Sequence, residues 1–177
     1  MTQTRLLWSS DRPITWDDFW APSPPDRDPQ AAAAIAMVLE YQMVPVVAQE
    51  GSSWRARVDS LTVTAAMERD RSWALPDRRT PAGLLHEQRH FDLAEAYRRL
   101  LERSLRGISG GTGSSASEAM QSLLRLAESV FQEVLGRHSA TQIQYDRETN
   151  HGRDSTRQDE WERKISSWLL DPYLRLP

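Results

Sequence analysis

The chain has 177 residues, 39% of them hydrophobic and 27% charged, which are the proportions of an ordinary globular protein long enough to bury a real core. A net charge of −3 gives no basic bias and so no reason to expect a nucleic-acid partner; the positive charge is arginine apart from Lys164. Cysteine is absent, which excludes disulfides and thiolate metal sites and leaves nitrogen and oxygen as the only ligands for a metal.

The opening MTQTRLLWSSDRPITW lacks the apolar run of a secretory signal, and no later stretch approaches the roughly 18 apolar residues of a membrane span. The chain as written therefore reads as cytoplasmic, with no membrane partner. Residues 1–30 read as an irregular lead-in to a single domain covering 1–177. Within it Trp16, Phe19 and Trp20 are expected to pack on the core, followed by an extended loop set by prolines 22, 24, 25 and 29. Between Ala31 and Val47, residues Ile35, Met37, Leu39 and Tyr41 alternate with smaller or polar ones and predict a strand. Glu50 to Ser53 is a turn. Trp54 to Met67 alternates cleanly, with a change of phase near Asp59-Ser60 that predicts a bulge. These segments form an antiparallel hairpin, and Glu68 to Arg79 reads as a strand end and a loop.

Thr80-Pro81 is a helix start, and Phe91, Ala94, Tyr97, Leu100, Leu101 and Leu105 then recur at helical spacing up to Gly107. This first long helix carries His86, Glu87 and His90 as H-E-x-x-H. Residues four apart share one helical face, so the two imidazoles can hold one zinc ion while Glu87 reaches a water on it as general base. The competing reading is a pair of structural histidines. Both continue into the apolar stripe of Leu93, Tyr97 and Leu100, where an unpaired polar group is costly and a metal would resolve the cost.

Gly107 to Ser117 predicts a mobile surface loop, and Ser115 with Glu118 a capping box. The next helix presents Met120, Leu123, Leu124, Ala127, Val130, Phe131, Val134 and Leu135 on one face and is expected to end at Gly136. His138, just beyond, would face the helix dipole. Ala140 to Gly152 is a second chemically dense stretch, in which Tyr145 to Gly152 reads as a turn-rich loop holding Tyr145, Asp146, Thr149 and His151. Ser155 with Gln158 opens a last helix, with Trp161, Ile165, Trp168 and Leu169 inward and Asp171-Pro172 as its stop. The expected architecture is α+β: an antiparallel sheet from the N-terminal half packed against three helices.

A catalytic zinc needs a third protein ligand, and the motif supplies two. Among the remaining histidines, His151 lies beside Asp146 and Tyr145, and ligating histidines usually have a carboxylate to orient them. The pairing of HEQ-x-HFD with YD-x-x-T-x-HG resembles the bacterial family of secreted zinc-dependent proteases, domain of unknown function 922. TWDDF, Ser72-Trp73 and Trp161 extend the likeness over most of the chain. The resemblance implies a zincin-like metallopeptidase that hydrolyses peptide or protein substrates, with a secreted or periplasmic location as the alternative to a cytoplasmic one. Carried over by residue, it implies His86 and His90 as ligands and Glu87 as base. His151 is then the expected third ligand, Asp146 an orienting group or itself a ligand, and Tyr145 a hydrogen-bond donor to the developing oxyanion. The rival readings are a non-catalytic relative with a structural zinc or a partner-binding role, and an amidase acting on cell-wall peptides.

Overall fold

The computed structural model describes residues 3–27, 29 and 31–170. Its elements in chain order are β1 (Arg5–Leu7), a 3-10 turn at Trp16–Asp18, β2 (Ala33–Ala34), β3 (Met37–Glu50), β4 (Ser53–Glu68), β5 (Trp73–Ala74), α1 (Pro81–Arg106), β6 (Gly111–Gly113), α2 (Ala116–Thr149) and α3 (Ser155–Leu170). The expected α+β class holds: antiparallel sheets from the N-terminal half pack against three helices. The stop expected at Asp171-Pro172 lies outside the described residues. Among the described residues no helix is long and apolar enough to cross a membrane.

The hairpin is β3 and β4, turned at Gly51 in the left-handed region (φ +63°). Val44 pairs with Ser60 but Pro45 with Val58, so Asp59 is the extra residue. That is the bulge announced by the phase change, and it falls where proline cannot donate to the ladder. β3 runs along one side of β4, while β1 and β6 pair with opposite ends of β4. Leu39, Leu61, Val63, Ala65 and Met67 from this sheet meet Phe91, Ala94, Tyr97, Leu101 and Leu105 of α1 and Ala127 and Val134 of α2 in the main core. α3 closes a second cluster, Leu93, Tyr145, Trp161 and Ile165, on the far side of α1. Covered from both sides, α1 is buried at every position from His90 to Tyr97.

Three expectations about loops are corrected. Residues 107–117 are not all loop: Gly111–Gly113 pairs with β4, and a Cβ at Gly111 would lie 2.2 Å from the Ala119 carbonyl, so only glycine lets this strand sit on the start of α2. The second helix does not end at Gly136. It continues to Thr149 and stops at Asn150, which is left-handed at φ 50°. A glycine inside a helix costs about 1 kcal/mol relative to alanine, which tertiary packing readily overrides. Most of the loop expected from Tyr145 onward is thus helix, as far as Thr149, and His138 lies well inside that helix rather than past its end. In the lead-in β1 joins the sheet and Phe19 is buried as expected, but Trp20, expected on the core, is exposed under Arg69.

Candidate metal centre

Thr80 begins α1 as expected, its hydroxyl accepting from Gly83 N–H (3.0 Å) with Pro81 in the first turn. Nearly two turns later His86 and His90 stand one above the other on the face turned toward α2. Asp146 comes from α2 to meet them. Its Oδ1 is 3.1 Å from His86 Nε2 and 3.0 Å from His90 Nε2, and the two Nε2 atoms are 3.2 Å apart. These three residues form the one set of potential metal ligands gathered among the described residues. The edge of a tetrahedron built on bonds of 2.0–2.1 Å is about 3.3–3.4 Å, so the three donor atoms already stand near the spacing a single small cation requires.

The outer faces of both imidazoles are held by amides. His90 Nδ1 is 2.5 Å from Gln142 Oε1, and Gln142 Nε2 donates to the His90 carbonyl (3.0 Å) and to His138 Nε2 (2.8 Å). Since a carbonyl can only accept, Gln142 must turn its NH₂ toward it, and its own carbonyl then faces His90 Nδ1. His90 Nδ1 therefore carries the proton and its Nε2 presents a lone pair to the centre. On the other side His86 Nδ1 is 3.2 Å from Gln158 Oε1, while Gln158 Nε2 donates to the Tyr145 hydroxyl (2.7 Å), which donates to the His86 carbonyl (3.3 Å). The Tyr145 ring stacks on His86 at 4.7 Å.

Glu87 points to the cavity side, buried, with Oε2 accepting from Ile35 N–H (3.0 Å). Burial pushes its carboxyl above the usual range, against the opposing pull of His90, His86 and the Ile35 amide. Burial alone would push Asp146 up too, but hydrogen bonds and charge from His86 and His90 overrule it and hold the carboxyl well below its usual range. For His90, burial works downward and is overruled by Asp146 and Glu87, so its affinity for a proton is raised. His138 has no such partner, and burial pushes it down to about 4.

Two expected roles move. The third converging group is Asp146, the alternative raised from the sequence, rather than His151. Because α2 runs through residue 149, Asp146 projects from its α1-facing side, whereas His151 follows the helix end with φ 53° and a 42% exposed side chain, its Nδ1 3.5 Å from Asp146 Oδ1. His151 stands at the mouth of the site. Tyr145 is no donor to an oxyanion in this arrangement. One residue from Asp146, it is rotated by about 100° into the interior, is fully buried and has its hydroxyl committed to His86 and Gln158. Asp92 is buried on α1 and accepts from Trp8, Gln88 and Arg89.

Other residues of these segments build the frame. Thr149 bonds the Tyr145 carbonyl (2.7 Å) and accepts from Gly152 N–H. Asp18 with Thr15 caps the 3-10 turn that places Trp16, and Ser72 receives Ala36 N–H. The cavity over Glu87 has a volume of about 450 Å³, with Trp16, the alanines 31–34, Ile35, Arg78 and His151 among its walls. Sequence reasoning missed Gln142, Gln158, the Ile35 amide and Gly152. Gly152 has φ +78°, and a Cβ there would sit 2.9 Å from Cβ and Cγ of His86. Gly152→Ala is expected to cost about 1–2 kcal/mol in backbone strain alone and to weaken metal binding by displacing His86, read by thermal unfolding and a zinc competition titration.

Compared with known families, residues 24–152 match the one described as bacterial protein of unknown function (DUF922). The chain belongs to this family. No curated protein and no solved structure gives a match. The DUF922 match takes in α1 and α2 up to the turn after α2, and with them His86, Glu87, His90, His138, Gln142, Asp146 and His151. TWDDF, Gln158 and Trp161 lie outside it.

Proposed function

We propose that the chain is a zinc-dependent peptidase in which His86, His90 and Asp146 hold the metal and Glu87 is the general base. The observation that carries this reading is the convergence of three acceptors. The Gln142 amide leaves His90 Nε2 without a proton, the Gln158–Tyr145 pair does the same for His86, and both lone pairs face the Asp146 carboxylate at 3.0–3.2 Å. Three acceptors at that spacing repel unless a cation or protons lie between them. Two imidazoles and a carboxylate match the nitrogen and oxygen donor set of a catalytic zinc. Zinc, when bound, supplies a Lewis acid and lowers the pKa of its water to about 7.

Glu87 then has two tasks. Ile35 N–H engages its Oε2, which fixes the side chain, and the raised pKa makes the carboxylate a stronger base than one in water. It takes a proton from the water whose oxygen adds to the substrate carbonyl, and passes that proton to the amine nitrogen as the C–N bond breaks. The wall formed by β2 supports a peptide as substrate. Leu75 N–H bonds the Ala32 carbonyl (2.8 Å) and Ala33 is opposite Ala74, so Ala32 and Ala34 turn their backbone groups to β5. By strand alternation Ala33 and Ile35 turn theirs the other way, where Ile35 meets Glu87 and an extended chain could pair.

The test is metal analysis of the purified protein, followed by a peptide-library digest with and without a chelator. Expected are one zinc per chain and cleavage that disappears with the metal while the fold persists, because the main core is held by apolar packing of the sheet against α1 and α2 rather than by the metal ligands. Stoichiometric metal with no cleavage, and unfolding once the metal is stripped, would favour the structural-zinc reading instead. The raised proton affinity of His90 adds a pH dependence. Below its raised pKa the metal-free site holds a proton, so zinc affinity should fall as pH drops, starting above the ordinary histidine value of about 6.5. Titrations across pH, in buffers of different ionisation enthalpy, would show protons released on binding.

A further inference from the structure

His138 is a buried histidine that the proposed chemistry does not use. It packs edge-on against Tyr97 (5.4 Å between ring centres), and its Nε2 is 2.8 Å from Gln142 Nε2. Leucine would fill such a space between two helices without the cost of burying an imidazole. What an imidazole adds is an acceptor. The Gln142 NH₂ has two protons, and the His90 carbonyl and His138 Nε2 take one each. His138, Gln142 and Asp146 stand at successive turns of α2, facing the His86–His90 pair of α1.

We infer that His138 and Gln142 are a positioning pair for His90, in which His138 serves as a neutral acceptor that locks the Gln142 amide with its carbonyl toward His90 Nδ1. This rests on the metal-site reading above. Without the acceptor at 138 one amide proton is left unpaired in the interior. The amide can then swing or flip, and a flipped amide presents NH₂ to His90 Nδ1, favouring the wrong tautomer for coordination through Nε2. The expression of this role is affinity and geometry at the metal, with no contact between His138 and any substrate.

The experiment compares the full chain with His138→Leu and His138→Gln. Zinc affinity is read by chelator competition, the Co²⁺ visible spectrum reports geometry, and circular dichroism of the metal-free proteins reports the fold. His138→Leu is expected to lose about 10–100-fold in zinc affinity and to shift the Co²⁺ bands with the fold intact. His138→Gln, which can still accept, is expected to recover most of the affinity. Two-bond ¹H–¹⁵N spectra of the zinc-loaded native chain give a second readout that needs no variant: His138 must be neutral, with its proton on Nδ1. Wild-type affinity and spectrum in His138→Leu, or a proton on His138 Nε2, would overturn the inference and leave the metal site standing. If the native chain binds neither Zn²⁺ nor Co²⁺, it is the metal-site reading that fails, and the inference with it.

Discussion

Glu87→Gln is expected to reduce peptide hydrolysis by about 10²–10⁴-fold, the range that a positioned general base contributes, with zinc still bound. The amide keeps an oxygen for Ile35 N–H, so the side chain stays in place while its basicity is gone. Stability should move the other way. Burial raises the Glu87 pKa, so folding favours the protonated carboxyl. The charge penalty is then fully present above the raised pKa, shrinks as pH falls below it, and vanishes only below the value of the unfolded chain. A neutral amide removes the penalty at neutral pH, and metal-free Glu87→Gln should unfold at the same or a higher temperature than the native chain. Loss of activity together with gain or retention of stability separates a catalytic glutamate from a structural one. Undiminished cleavage by Glu87→Gln would end the proposed mechanism.

The second large effect concerns the third ligand. Asp146→Ala should lose zinc by more than the roughly 10–100-fold that removal of an outer orienting group costs, whereas His151→Ala should keep one zinc per chain. The reason is placement: Asp146 Oδ1 lies within 3.1 Å of both Nε2 atoms, and His151 reaches only the outer side of that carboxylate. Asp146→Asn keeps the shape and removes the charge, so comparing it with Asp146→Ala apportions the loss. His86 and His90 hold the Asp146 pKa down, and it stays ionised at any pH used for such a titration. Loss of metal in acid is therefore expected from protonation of His90 rather than of Asp146. Zinc retained by Asp146→Ala and lost by His151→Ala would return His151 to the ligand set.

Much of the fold could be read residue by residue because its causes are local. Thr80-Pro81 starts a helix wherever it stands, alternation from Trp54 to Met67 marks a half-buried strand, and the slip at Asp59 shows in the pattern as a bulge in the ladder. H-E-x-x-H names its own geometry, since four residues make one turn. The errors arose where a local signal was outweighed. Gly136 is a helix breaker by propensity, yet α2 passes through it, since the contacts of Ala127, Val134, His138, Thr141 and Tyr145 with the rest of the fold exceed about 1 kcal/mol. Ending the helix there turned Asp146 and Tyr145 into loop residues and hid the H-x₃-Q-x₃-D stripe.

What the sequence by itself determined was the α+β class, the helix bearing His86, Glu87 and His90, and that thiolate ligands and disulfides are excluded in a chain without cysteine. Only the tertiary structure decided that Asp146 rather than His151 completes the trio, that Tyr145 faces inward, and that Gln142, Gln158 and the Ile35 amide hold His90, His86 and Glu87 in place. A stripe of His, Gln and Asp at four-residue spacing is unremarkable on a lone helix. It gains chemical meaning when α2 lies against α1 and the distances between side chains 50–60 positions apart contract to hydrogen-bond length.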